Sequence, residues 1–257
     1  MQTVNIPFKN KMESTLVTTH SNSIPLHTYE WEEFPTAFDQ LPKLLILQPV
    51  LQEITYNSFQ SKNVSFSISE LEKAFLQSTN YFLLTNKTTK NIIGFAFINS
   101  PYATLFDGKF CYINKIAISS AFQGQGFASQ FRKLLLDKGF TWLCARTQNP
   151  AIMHNFSANS IKTFPFKTFY STTGEGENVM EFILKYIPQV IDSTKCEETK
   201  FDKQTGIFKG LYRHPLGNNY NNKSDKFINE ASLLDNWRFD PIQGDAILVT
   251  SYFKLTN

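Results

Sequence analysis

The stretch Ile118-Ser119-Ser120-Ala121-Phe122-Gln123-Gly124-Gln125-Gly126-Phe127-Ala128 joins two segments of different periodicity. Upstream, Phe110 to Ile118 is rich in β-branched and aromatic residues and predicts a strand. Simple alternation along it places Tyr112, Asn114, Ile116 and Ile118 on one face. Downstream, Gly126 to Lys138 predicts a helix, because Phe127, Phe131, Leu134 and Leu135 fall on one stripe at helical spacing. Gly139 then stops it as a C-terminal glycine cap. The decisive unit is therefore strand, glycine-bearing turn, helix. A helix start presents unpaired backbone N–H groups and the positive end of the dipole. Glycines let phosphate approach that backbone closely, so the stretch is an anion cradle on local physics alone.

Two familiar phosphate cradles fit poorly. A dinucleotide fingerprint needs G-x-G-x-x-G after a first strand. Here Gly124-x-Gly126 is followed by Ser129, deep in the chain. A P-loop ends in Gly-Lys-Ser/Thr, which is absent.

Gln123, Gly126 and Ala128 stand at the spacing Q/R-x-x-G-x-G/A, which resembles the acetyl-CoA motif of the GNAT superfamily of N-acetyltransferases. The preceding Tyr112 to Ile118 resembles that superfamily's fourth strand. Thr141 to Arg146 resembles its fifth strand, and Asn149-Pro150-Ala151 the start of its fourth helix. The resemblance is clear over residues 80–158 and thins after 160, where Ala246 to Phe253 resembles the last strand. It implies an α/β (α+β) fold: a mixed, mostly antiparallel central sheet, helices on both faces and splayed central strands. It also implies acetyl-CoA as co-substrate and a primary amine as acceptor, on a small molecule or a protein. Backbone groups of Ile116, Ala117 and Ile118 would then hold the pantetheine arm as an added strand does. The amides of Gly124, Gln125, Gly126, Phe127, Ala128 and Ser129, with Gln123, would hold the pyrophosphate, and Asn149 would touch the cofactor.

Acetyl transfer by direct attack needs a neutral amine, a donor for the oxyanion and an acid for the leaving thiolate. Many relatives place a Tyr seven residues after the fourth-helix Asn; here that position is Phe156. The fourth strand offers Tyr112 and Asn114 where relatives often carry a Glu. Tyr112, Asn114 and Tyr170 are the candidate catalytic residues, with His154 a further substitute. Each also has a plain structural role open to it: Tyr112 as a core residue, His154 as a surface residue, Asn149 as a helix cap. Loss of catalysis with retention of the acyl-CoA site, leaving a sensor or scaffold, is the alternative function.

Around this centre the pattern gives a strand over Ile24 to Phe34, a helix over Leu41 to Phe59 that Pro49 kinks or splits, and a capping box Ser69/Glu72 before a helix over Glu70 to Gln77. Tyr81–Leu84 and Ile92–Ile98 form a hairpin, followed by a loop from Asn99 to Lys109. Later come a helix over Glu177 to Tyr186, a strand over Gly206 to Tyr212, a short helix near Phe227 to Leu234 and the final strand. Residues 1–23 form a flexible tail, and 24–257 a single domain with an extra segment at about 166–236.

Composition bounds the rest. A chain of 257 residues with 42% apolar content, 25 of them Phe, is expected to fold around a full core. The net charge of +3 announces neither a nucleic-acid nor a membrane partner. Three cysteines, Cys111, Cys144 and Cys196, form no CxxC pair, and four histidines show no ligand spacing, so no metal is expected. With no signal-like leader, a cytoplasmic protein is expected, and the sequons at Asn63, Asn86, Asn155 and Asn222 are read as chance. The oligomeric state is not encoded in these patterns.

Overall fold

A computed structural model describes residues 26–34, 41–59, 68–106, 108–165, 175–190, 201–203, 205–212 and 238–254. The expected tail over 1–23 and the expected helix at 227–234 lie outside them, as does most of the segment at 166–236.

The chain begins with β1 (Tyr29–Phe34), α1 (Leu41–Phe59) and α2 (Ile68–Leu76). The expected hairpin forms as β2 (Asn80–Asn86) and β3 (Ile92–Asn99). β4 (Thr104–Leu105) and β5 (Gly108–Ile118) follow, then α3 (Phe127–Asp137), β6 (Phe140–Thr147), α4 (Pro150–Ser157) and β7 (Lys162–Phe164). α5 (Glu175–Tyr186), β8 (Phe201–Asp202), β9 (Ile207–Phe208) and β10 (Ala246–Tyr252) complete it. Strand order across the sheet is β1-β2-β3-β5-β6-β10-β9-β8, with β4 on β5 and β7 on β10. Among the described residues, only β5 and β6 pair in parallel, across the crossover helix α3. The fold is thus the expected mixed, mostly antiparallel sheet with helices on both faces.

Several local expectations are corrected. α1 runs unbroken through Pro49 rather than splitting there, and the Pro49 ring faces solvent. α2 starts at Ile68, so Ser69 lies inside its first turn and not at the cap. The supposed loop 99–109 contains β4, which pairs with the start of β5. The strand expected over Gly206 to Tyr212 shrinks to Ile207–Phe208, because Gly206 and Gly210 both take left-handed φ and turn the chain.

β7 and β10 are neighbours in one antiparallel pair, with Thr250 opposite Phe164. β10 also pairs along its other edge with β6, from Ile247–Thr147 to Tyr252–Trp142. The extra segment therefore interrupts a hairpin: it leaves after β7 and returns at β10. Its β8–β9 ribbon extends the sheet beside β7.

Two faces carry separate cores. On one, α3 and α4 bury Phe131, Leu135, Met153 and Phe156 against Phe82, Cys111, Ile113, Leu143, Ala145 and Val249. On the other, α1 and α2 cover β2, β3 and the end of β5 through Leu51, Leu71 and Phe75 on Phe95, Phe97 and Ala117. α5 covers the same face farther along, through Val179, Met180 and Ile183 on Phe110, Tyr112, Cys144 and Leu248.

Phe131 is 1% exposed and packs its ring 4.6 Å from Trp31 and 5.2 Å from Phe82. It ties α3 to β1 and β2. Phe131→Ala is expected to destabilise the fold by about 3–5 kcal/mol, the cost of a large aromatic cavity, read from urea unfolding curves of the two proteins.

Candidate active site

β5 and β6 pair from Lys109–Phe140 to Ile113–Ala145 and no farther, although β5 continues to Ile118 and β6 to Thr147. The cause lies on the opposite edge of β5. Against β3, Lys115 sits opposite Phe97 and Ile113 opposite Ile98, so Asn114 is an extra residue, a β-bulge. The bulge bends β5 away from β6, while β6 stays paired to β10 through Arg146 and Thr147. A fork opens whose β5 edge is Asn114 to Ile118.

The bulge also resets side-chain alternation. Tyr112 lies in the α5-side core and Ala117 in the α1/α2-side core, both on one face. Ile116 and Ile118 pack on the opposite face, against the α3-side clusters. The expectation that Tyr112, Asn114, Ile116 and Ile118 share a face is thus corrected: the four divide two and two about the extra residue.

Just past the fork, Gln123 is the anchor of the turn. Its Nε2 donates to the Ile118 carbonyl at 2.9 Å and to the Ser58 carbonyl and Oγ at 2.9 and 3.2 Å. The side chain thereby pins the turn to the end of β5 and to α1. Gly124 has φ +75°, and a Cβ built there would meet nothing within 4 Å. Gly126 is the N-cap of α3 with φ 86°; no side chain caps the helix and its first turn holds no acidic residue. Trp31 Nε1 donates to the Phe127 carbonyl at 3.1 Å and fixes the helix entry. The helix presents its free N–H groups beside an open surface, at the end of the fork.

α4 lies next to this helix. Asn149 caps α4, its side chain accepting from the Ala151 N–H at 2.9 Å. Arg132 Nη1 donates to Asn155 Oδ1 at 2.7 Å, and Ser129 Oγ donates to the same oxygen at 3.2 Å, so α3 and α4 are bolted together. Burial pulls the Arg132 guanidinium down from its ordinary value.

Of the sequence-derived catalytic candidates, Tyr112 is 1% exposed and stands beside Cys144, one pair before the fork. Asn114 stands at the fork itself, its Nδ2 donating to the Ala74 carbonyl at 3.1 Å and to Ser78 Oγ at 3.2 Å. Tyr170 lies outside the described residues. Phe156 is buried in the α3-side core and His154 sits in the last turn of α4. Lys115, Arg146 and Ser58 lie outside the motif. The signal for the first was available: adjacent polar Asn114 and Lys115 inside an apolar strand mark a bulge.

With the fork, turn and helix in place, the comparison with known proteins gives one family: the Acetyltransferase (GNAT) family model matches residues 47–160, from within α1 to just past α4. Over that region, less than half of the chain, the sequence matches the GNAT acetyltransferase family. No curated protein matches its sequence. Among solved structures, the glucosamine N-acetyltransferase region of a fungal multi-domain beta-N-acetylglucosaminidase is 12% identical, with TM-score 0.35, over 46% of this chain and 13% of that one. A GNAT family N-acetyltransferase from Escherichia coli, in complex with CoA, is 16% identical, with TM-score 0.35, over 51% of this chain and 68% of that one. Spermidine N-acetyltransferase from Vibrio cholerae, in complex with CoA and spermine, is 16% identical, with TM-score 0.34, over 51% and 78%. Among the described residues, no helix is long and apolar enough to cross a membrane.

The two described cysteines of the GNAT domain, Cys111 and Cys144, are fully buried on adjacent strands. Burial pushes the Cys111 thiol well up, and pushes that of Cys144 up to about 12. Both are protonated and unreactive in the fold. The folded Cys144 keeps its proton to about 12 where the ordinary thiol releases it near 9. Its contribution to stability is therefore complete below pH 9 and drains as pH rises towards 12. Iodoacetamide at pH 8 is expected to leave both residues unmodified in the native protein and to label both in denaturant, as peptide mass spectrometry would record. Native labelling of Cys144 would contradict its burial.

Proposed function

We propose that this chain transfers an acetyl group from acetyl-CoA to a primary amine by direct attack. The reading is carried by one arrangement: an opened strand edge leading into an uncapped helix N-terminus whose turn has room for phosphate. Gly124 and Gly126 supply left-handed turn positions that a bulky side chain would resist, and open space lies where a Cβ of Gly124 would point. The absence of an acidic side chain in the first turn of α3 leaves the dipole unopposed. These features fit a pyrophosphate bound to amides.

In this reading the backbone of Ile116, Ala117 and Ile118 takes the pantetheine arm along the freed edge of β5. Gly124 to Ser129 hold the pyrophosphate through their amides, Gln123 keeps the turn in place, and Asn149 contacts the cofactor from α4. Acetyl-CoA supplies an activated thioester: a C–N bond forms, the C–S bond breaks, and one amine proton ends on the departing sulfur. An N–H at the fork near Ile118 stabilises the oxyanion. An alkylamine has an ordinary pKa of about 10.4, so the site must favour its neutral form. Asn114 lines the acceptor side of the fork, Tyr112 underlies it as proton relay, and water at the open edge takes up the amine's ammonium proton. Tyr170 is assigned to the acceptor side on sequence alone. The extra segment between β7 and β10 is assigned to the acceptor side on sequence alone.

One observation favours a second reading, an acyl-CoA sensor without turnover. Phe156 stands where relatives carry a tyrosine acid, and it is 3% exposed in an apolar core.

Titration calorimetry with acetyl-CoA tests the site. Gly124→Asp keeps a residue that tolerates left-handed backbone but adds a carboxylate where pyrophosphate would lie. Wild type is expected to bind in the micromolar range and Gly124→Asp at least about tenfold more weakly, with Gly124→Asn between them. Equal affinities would remove the cradle from the argument. CoA release with a panel of amines then separates enzyme from sensor.

A further inference from the structure

β1 stands at the end of the described strand order, beside β2, with Trp31 opposite Leu84. It lies before residue 47, where the family match begins. A partly buried indole N–H needs an acceptor, and that of Trp31 takes the Phe127 carbonyl at 3.1 Å. Phe127 is the first residue of α3. The peptide unit that ends in its carbonyl carries the Ala128 N–H at the other end. The first helical bond runs from the Gln130 N–H to the Gly126 carbonyl at 3.0 Å, so the amides of Phe127, Ala128 and Ser129 precede the ladder. The Ala128 N–H is therefore among the donors left for an anion, and Trp31 donates to the far end of its peptide. A carbonyl oxygen has two lone pairs, so it accepts the indole beside a helical N–H. A donor on the carbonyl draws electron density from the amide nitrogen and strengthens its N–H as a donor. The indole is itself held: its ring lies 4.6 Å from that of Phe131, one turn along the same helix. On the same strand, Tyr29 meets Phe122 and Phe127 edge-on at 5.4 and 5.6 Å, one on each side of the glycine turn.

We propose that Trp31 is a positioning residue of the phosphate cradle: through the Phe127 carbonyl it aims and polarises the Ala128 N–H for a bound phosphate. This rests on the acetyltransferase reading for the identity of the anion, the pyrophosphate of acetyl-CoA. No side chain caps α3 at Gly126 and no acidic residue stands in its first turn. The strength of the bare amides then sets how firmly the anion is held, and Trp31 raises it without adding a charge.

Trp31→Phe removes the donor and keeps an aromatic ring. Phe131→Leu loosens the same ring contact and keeps the donor. Benzothienylalanine placed at position 31 exchanges the N–H for sulfur within the same ring outline, and serves where the smaller ring of Trp31→Phe disturbs folding. Acetyl-CoA and, as a probe of the cradle alone, inorganic pyrophosphate are titrated calorimetrically into each protein. The Ala128 amide is followed by proton–nitrogen NMR without ligand. Both replacements of Trp31 are expected to bind the two ligands about three- to tenfold more weakly and to move the Ala128 proton resonance upfield. In turnover assays the loss should fall on KM for acetyl-CoA and leave kcat nearly unchanged. Phe131→Leu, though less stable in urea, is expected to keep wild-type affinity. Unchanged affinity after both replacements of Trp31 would overturn the role. So would an equal loss in Phe131→Leu, which would make ring packing the cause. Pyrophosphate binding that weakens without the indole N–H, in a protein that does not bind acetyl-CoA, would uphold the role and remove the transferase reading. Acetyl-CoA turnover with a KM indifferent to the indole N–H would do the reverse.

Discussion

The structure depends on one extra residue in a strand. Asn114 has no partner across β3, and from that point β5 leaves β6. A parallel pair forgoes its ladder hydrogen bonds beyond Ile113 and Ala145, which ordinarily costs stability. The loss is tolerated because each strand keeps its other neighbour: β5 stays on β3, and β6 stays on β10. Beyond Ile113, β5 has no ladder partner on β6.

Everything at the site is arranged around that departure. Asn114 uses its amide to fasten the C-terminal end of α2 to the fork through Ala74 and Ser78. Gln123 fastens the turn to β5 and to the end of α1. Trp31 and the Arg132–Asn155 bolt fix α3 from two sides. The helix entry is thus held by side chains on α1, β1 and α4 while its own N–H groups stay uncapped. A rigid frame around unsatisfied donors is what phosphate recognition requires.

The inserted segment adds a second theme. It breaks the β7–β10 hairpin, returns its helix α5 to the sheet face and its β8–β9 ribbon to the edge, and grips Arg146. The family match ends at residue 160, before any of this begins. The matched region holds the strand–turn–helix unit, while α5, β8 and β9 lie beyond it.

The sequence by itself determined the strand–turn–helix unit, the hairpin, β6 and α4, because each is local. Period-two and period-3.6 patterns, Gly126 and Gly139 at the ends of α3 and Asn149-Pro150 at the start of α4 encode their own geometry within a few residues. What sequence alone left undecided depends on partners far along the chain. The face of each β5 residue turns on a register shift against β3, and alternation counted along one strand cannot contain it. Burial of Tyr112 under α5, the break of the hairpin by the insertion, and the seating of Arg146 against Phe208 and Tyr212 are set by tertiary packing. Only the folded sheet brings those residues together.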